Sequence, residues 1–139
     1  MKRSLKTALF ALALIAGAGY WAFRPAGPAP STEEIAPAEK EAAVKFFRET
    51  LAVTQERSAY TGKRKFLKLA VDPRRRQLNN ETFKLLRETR VTPETPCRVI
   101  RHKRNGALEL SFRDERNAQI LVMLEKHGSG LKVAGAMEL

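Results

Sequence analysis

Cysteine is almost missing from this chain. Cys97 is the only one in 139 residues, so an intrachain disulfide is excluded and the core must hold the fold unaided. A bridge to a second chain stays open; a buried, inert thiol is the reading preferred here. Histidine is nearly as scarce. His102 lies in the basic stretch Ile100-Arg101-His102-Lys103-Arg104 and His127 in a turn beside Gly128, with no third ligand spaced near either. No metal site and no cofactor is therefore expected. Ser58 and Tyr60 have no base that a motif would bring within reach, so nucleophilic catalysis has no candidate and no catalytic residue is assigned. Aromatic residues make up 7% of the chain. Tyr60 and Phe66 are the only rings near the basic clusters, too few for the stacking platforms of a single-strand nucleic-acid binder. Acidic residues are short as well, 15 against 26 Lys and Arg.

What is present, first, is an apolar run from Thr7 to Phe23, TALFALALIAGAGYWAF. Lys2, Arg3 and Lys6 precede it, and Arg24 and Pro25 follow. Such a run is costly to leave in water and favourable to place in a bilayer. One reading is a cleaved signal, with Ala16-Gly17-Ala18 supplying the small residues before a cut. The other is an uncleaved anchor at the short end of the roughly 17–25 residues that span a bilayer, with Tyr20, Trp21 and Phe23 at headgroup level. The anchor is preferred, because apolar residues continue past the cleavage site. Basic flanks stay cytoplasmic, which puts the amino end inside and the rest outside. The expectation is a single-pass inner-membrane protein, or a periplasmic one after cleavage.

The positive excess is concentrated. From Arg57 to Arg104 there are 15 Lys and Arg against Asp72, Glu81, Glu88 and Glu94, a net +11; the remainder is neutral. Three clusters stand out: Lys63-Arg64-Lys65, Arg74-Arg75-Arg76, and Arg98 with Arg101, Lys103 and Arg104. Such a field attracts anionic surfaces and polymers. Phosphate contacts need Lys or Arg at no special spacing, so the pattern does not choose among them. Export argues against nucleic acid. Anionic lipid, an envelope polymer or another membrane protein are the partners expected.

Three parts follow: residues 1–24 as anchor or signal, 25–37 as a proline-rich linker, and 38–139 as one α+β domain. A first helix is predicted from Ala38 to Arg57, with Val44, Phe47 and Leu51 at helical spacing. Thr61-Gly62 reads as a break, followed by a short helix from Lys63 to Val71. Asp72-Pro73 reads as a helix start and Asn80 as a second N-cap, opening a helix through Arg90.

The last third reads as four strands. Strand one is Cys97 to Lys103. Asn105-Gly106 is the signature of a two-residue type I′ hairpin. That register places Arg101 opposite Leu110 and Val99 opposite Phe112, with Arg101 and Lys103 on the apolar face. Either these bases line a polar pocket mouth, or a bulged loop swaps the faces and brings Ile100 inside; the bulge is preferred. Strand two is Ala107 to Arg113. Strand three, Ala118 to Glu125, is apolar on both faces and hence central. Strand four, Leu131 to Glu138, puts Leu131, Val133 and Met137 on one face.

Two to four helices followed by a curved four-stranded antiparallel meander make an α+β layer. This order, with the closing strand Leu131-Lys132-Val133-Ala134-Gly135, resembles the cystatin-like and nuclear-transport-factor-like cone superfamily, over about Ala38 to Leu139. The resemblance implies helices on the concave sheet face and a pocket between helix and sheet. Enzymes of that superfamily set Asp, His or Tyr inside the cone. Here the inward positions are Leu, Val, Ile and Phe, and no catalytic residue is carried over. The function expected is a non-enzymatic binding or assembly module with a basic face toward anionic lipid or envelope polymer. The alternative is a small cone-fold enzyme or ligand binder.

Overall fold

The computed structural model describes residues 31–139. The apolar run and residues 25–30 of the linker lie outside them. Among the described residues no helix is long and apolar enough to cross a membrane.

The chain is α+β, with three helices and a five-stranded antiparallel sheet in the order β1-β2-β3-β4-β5. The fifth strand was not expected. β1, Thr32–Glu34, lies within the stretch read as linker. It pairs with β2, Arg98–His102, setting Glu33 opposite Arg101. Of its three residues only Thr32 favours a strand. A neighbouring edge and an opposite charge make it one.

Helix α1, Pro37–Thr54, starts with proline at its first position, where the missing N–H is harmless. Ala43, Phe47, Thr50, Leu51 and Thr54 form its buried face. The two threonines donate back to Phe46 O (2.8 Å) and Leu51 O (3.0 Å), so neither hydroxyl is stranded. The helix stops before Arg57 because another element caps it. Arg87 donates to Thr54 O (2.9 Å) and Glu56 O (2.7 Å), while Gln55 donates to Leu86 O (3.1 Å) and Thr89 O (2.6 Å). Each helix end thus satisfies carbonyls of the other.

Thr61-Gly62 is no break. Helix α2, Ala59–Leu67, runs through it from a Ser58 N-cap that accepts Thr61 N at 3.2 Å. A Cβ on Gly62 would stand 2.8 Å from Val53 O, so glycine is there to let α2 approach α1. Asp72-Pro73 forms a turn and not a helix start: Asp72 Oδ1 accepts Arg74 N at 3.0 Å. Helix α3, Arg76–Glu88, begins beyond it and contains Asn80 in its interior. Asn79 is the buried neighbour that reaches back, donating to Asp72 O at 2.9 Å.

β3, Leu108–Arg113, and β4, Gln119–His127, join at a turn pinned by Asp114. Asp114 accepts the amides of Arg116 and Ala118, both at 2.9 Å. Burial opposes its charge; the amides of Ala118 and Arg116 and the Arg116 guanidinium more than offset that, so its pKa lies below 3.8. β5 spans Gly130–Glu138. Its outer edge is covered: Val133 exchanges hydrogen bonds with Leu69 and Val71, and Ala136 N donates to Thr82 Oγ1 at 3.3 Å.

The β2–β3 hairpin departs from both readings. Lys103–Gly106 is a four-residue loop, closed by His102 N to Ala107 O at 2.8 Å. Gly106 has positive φ and Asn105 does not, which excludes type I′. Arg101 pairs with Leu108 and Val99 with Leu110. The register slips by two residues, and only an odd slip swaps faces. Arg101 therefore stays on the apolar side with Val99, and Ile100 lies on the other.

The core fills the space between α1 and one sheet face with Phe47, Leu51, Leu110, Phe112, Ile120 and Val122. Phe47 and Phe112 rings lie 5.0 Å apart, tilted by 46°. The pocket implied between helix and sheet is thus occupied by side chains along α1. A bulge in β5 at Ala134 pairs Val133 with Leu124 but Met137 with Leu121. Met137 consequently leaves the face of Leu131 and Val133 for the opposite one.

Candidate functional site

That opposite face carries a groove. Strict alternation sends Ile120, Val122 and Leu124 into the core and Leu121 and Met123 away from it. Met137 joins them across the bulge, and Leu78 of α3 leans over the strand edge. Gly135 lies beneath Leu78, at ordinary contact distance: a Cβ there would stand 3.5 Å from Leu78 Cδ1. The resulting groove holds about 440 Å³, within the size range of ligand sites. A second space of about 610 Å³ adjoins it, sharing Arg75, Leu78, Glu125 and Ala134 and lined also by Asp72, Arg74 and Asn79. One compartment is floored by apolar side chains and the other is walled by charges. The sequence signal for this was β4 being apolar on both faces.

The basic residues divide into exposed ones and ones held in the fold. Arg74 and Arg75 keep side chains 93% and 71% exposed, each near Asp72 at 3.4 and 3.8 Å. Arg74, through its backbone amide first and then its guanidinium, draws the Asp72 carboxyl below its usual range against a partial burial cost. Arg76, Lys103 and Arg104 are exposed. Arg75 and Asn105 line the same groove, so the arginine triplet and the hairpin loop border one feature. On α2, Arg64 lies over the exposed Tyr60 ring at 5.8 Å, Lys65 pairs with Glu56, and Lys63 donates to Asn80, tying α2 to α3.

Arg101 does not belong with the exposed bases. Its guanidinium pairs with Glu39 of α1 and with Glu33 of β1 at 3.6 Å, and Lys126 stands 3.1 Å from the other Glu39 oxygen. The Arg101 hydrogen bond, reinforced by Lys126, holds the Glu39 carboxyl below its usual 4.5 despite partial burial. Glu39 in turn stabilises the Arg101 cation. Neither sequence reading for Arg101 is realised: the faces are not swapped, and Arg101 sits at the polar end of the apolar face without lining a pocket mouth. It plugs that end as an ion cluster and leaves no pocket mouth of its own.

The remaining chemistry is sparse. His102 Nε2 lies 2.9 Å from Glu109 and His127 Nε2 3.5 Å from Glu125. His102 and Glu109 do not line the groove. Among the described residues no three His, Cys, Asp or Glu gather as a metal site. Ser58 is spent as the α2 cap. Cys97 is half-buried, and burial pushes its thiol up, away from the reactive thiolate. No protein-family model, curated protein or solved structure matches the chain.

Proposed function

We propose that this chain is a non-enzymatic binding or assembly module, held at the outer side of the inner membrane by its apolar run. Its exposed basic surface, led by Arg74-Arg75-Arg76 with Lys103 and Arg104, meets anionic lipid headgroups. The observation that supports this best is the exposure of Arg74 and Arg75 beside a single matching acid, Asp72. Each base near an anionic surface contributes about 1 kcal/mol, and the field shrinks from about 10 Å at 0.1 M salt to about 3 Å at 1 M.

The test is a flotation assay with the full chain in liposomes, scoring recruitment of a second, anionic vesicle population. Changing Arg74, Arg75 and Arg76 to Glu should reduce recruitment at least tenfold at 0.1 M salt. Recruitment indifferent to salt and to that change would overturn the reading; recruitment of an anionic polymer in place of lipid would redirect it. A reporter fused after Leu139 and active only outside the cytoplasm checks the topology, and a mature mass starting at Gly19 would replace the anchor with a cleaved signal. The second reading, a small-ligand binder, is favoured by the groove between α3 and the outer sheet face.

A further inference from the structure

We propose that the two adjoining spaces form one site for a single-chain amphiphile with a zwitterionic phospho-amine head, of the lysophosphatidylethanolamine class. The tail would lie in the 440 Å³ groove over Leu78, Leu121, Met123 and Met137. Leu121 and Met137 are only 7% and 8% exposed. The floor therefore offers little apolar area, which suits one slender chain better than a protein face needing about 800 Å² per partner.

The head is argued from charge. On a chain of net +11, the walls of this site are not basic. The loop side offers Arg74 and Arg75 against Asp72, one positive charge in excess; the β4 side offers Glu125, whose ion pair is with His127 at 3.5 Å. Glu81 lies farther along the α3 rim of the groove. An anion alone would meet Glu125 and a cation alone would meet the arginines. A head carrying phosphate and ammonium a few bonds apart answers both. The backbone is consistent with this use: a Cβ at 135 would already reach contact with Leu78 Cδ1 at 3.5 Å, so a side chain as long as leucine would enter the groove.

This site shares Arg74 and Arg75 with the basic surface proposed above, but it asks them for something different. An amphiphile below its micellar concentration presents no charged surface, so the two readings can fail separately. The sequence supplies its own probe: Met123 and Met137 at the groove and Met1 far away in sequence are the three methionines of the chain. Methyl-labelled methionine in the full chain, held in phosphatidylcholine nanodiscs, would be titrated with hexyl, octyl and decyl phosphoethanolamine. Met123 and Met137 should shift saturably and Met1 should not. Affinity should rise about fourfold per methylene until the groove is filled. Decanoate, decyltrimethylammonium and decyl glucoside should each bind at least tenfold more weakly than decyl phosphoethanolamine. Arg75→Ala, an exposed change that leaves the core untouched, should erase that head preference while keeping the chain-length dependence. Gly135→Leu should abolish binding outright. Absence of saturable shifts, equal shifts at Met1, or equal affinity for the uncharged head would overturn the proposal.

Discussion

The two faces of this sheet are built from the same strands and behave as opposites. The inner face is closed: α1 lays Phe47 and Leu51 onto Leu110, Phe112 and Val122, and the far end is plugged by Arg101, Glu39 and Lys126. The outer face is left as a groove, with α3 leaning over only its β5 border. The difference comes from parity. A β-strand offers each face every second residue, so one strand, β4, supplies core through Ile120, Val122 and Leu124 and groove floor through Leu121 and Met123. The first set packs against α1, whereas the second is left to line the groove.

The largest effect should come from truncating the closed face. Phe47→Ala removes a fully buried ring and should cost about 4 kcal/mol in denaturant unfolding. Met123→Ala, facing the groove, should cost about 1 kcal/mol or less. Equal losses would erase the distinction between the faces.

Register decides which residues reach which face, and Asp114 pins it between β3 and β4. Asp114→Ala leaves two amides without an acceptor and should cost about 2 kcal/mol at pH 7. Its folded pKa is depressed below 3.8. Its contribution is thus complete above the unfolded value and fades as pH falls through the folded one. The gap between wild type and variant should be flat from pH 5 to 8 and close in more acidic solution.

The two glycines sharpen the comparison next. Gly62→Ala drives a Cβ to 2.8 Å from Val53 O between α1 and α2, and should cost about 1–3 kcal/mol. Gly135→Ala meets nothing nearer than Leu78 Cδ1 at 3.5 Å. It should be neutral or stabilise by up to about 1 kcal/mol.

The smallest effect concerns the charged plug. Glu39→Gln keeps the shape and removes the charge between Arg101 and Lys126. A partly exposed ion cluster contributes about 1 kcal/mol or less. Because the folded pKa of Glu39 lies below 4.5, that difference should be present at neutral pH and vanish as pH falls through the folded value. Unchanged melting curves at pH 7 would make the plug a passive surface contact.

Much of the architecture was legible because it rests on local rules. The helical spacing of Val44, Phe47 and Leu51, the strands read at Ala107–Arg113 and Ala118–Glu125 and the two-sided apolarity of the latter are properties of a few neighbouring residues. The errors share a cause. Gly62 looked like a breaker and is a contact point, because only the passing α1 gives its missing side chain a purpose. Asn105-Gly106 looked like a tight turn, yet the loop widened. Two residues of slip put Val99 and Arg101 where Leu110, Glu33 and Glu39 could meet them. Met137 looked inward because counting by twos cannot see a bulge. No spacing rule shows the groove, since its walls come from α3, the 71–75 loop, the β2–β3 hairpin loop and two strands.

The sequence by itself determined an α+β domain with a helical first half, a β second half and its positive charge gathered in the middle third. Those follow from periodicity and composition, which each segment carries alone. The tertiary structure decided that residues 32–34 become a strand, that Arg101 is neutralised while Arg74 and Arg75 stay exposed with one acid, Asp72, between them, and that the second face of the sheet is a groove. Each of these depends on which distant group arrives alongside. A strand edge, an opposite charge or a covering helix is supplied by the rest of the chain, and its effect falls off within a few ångströms.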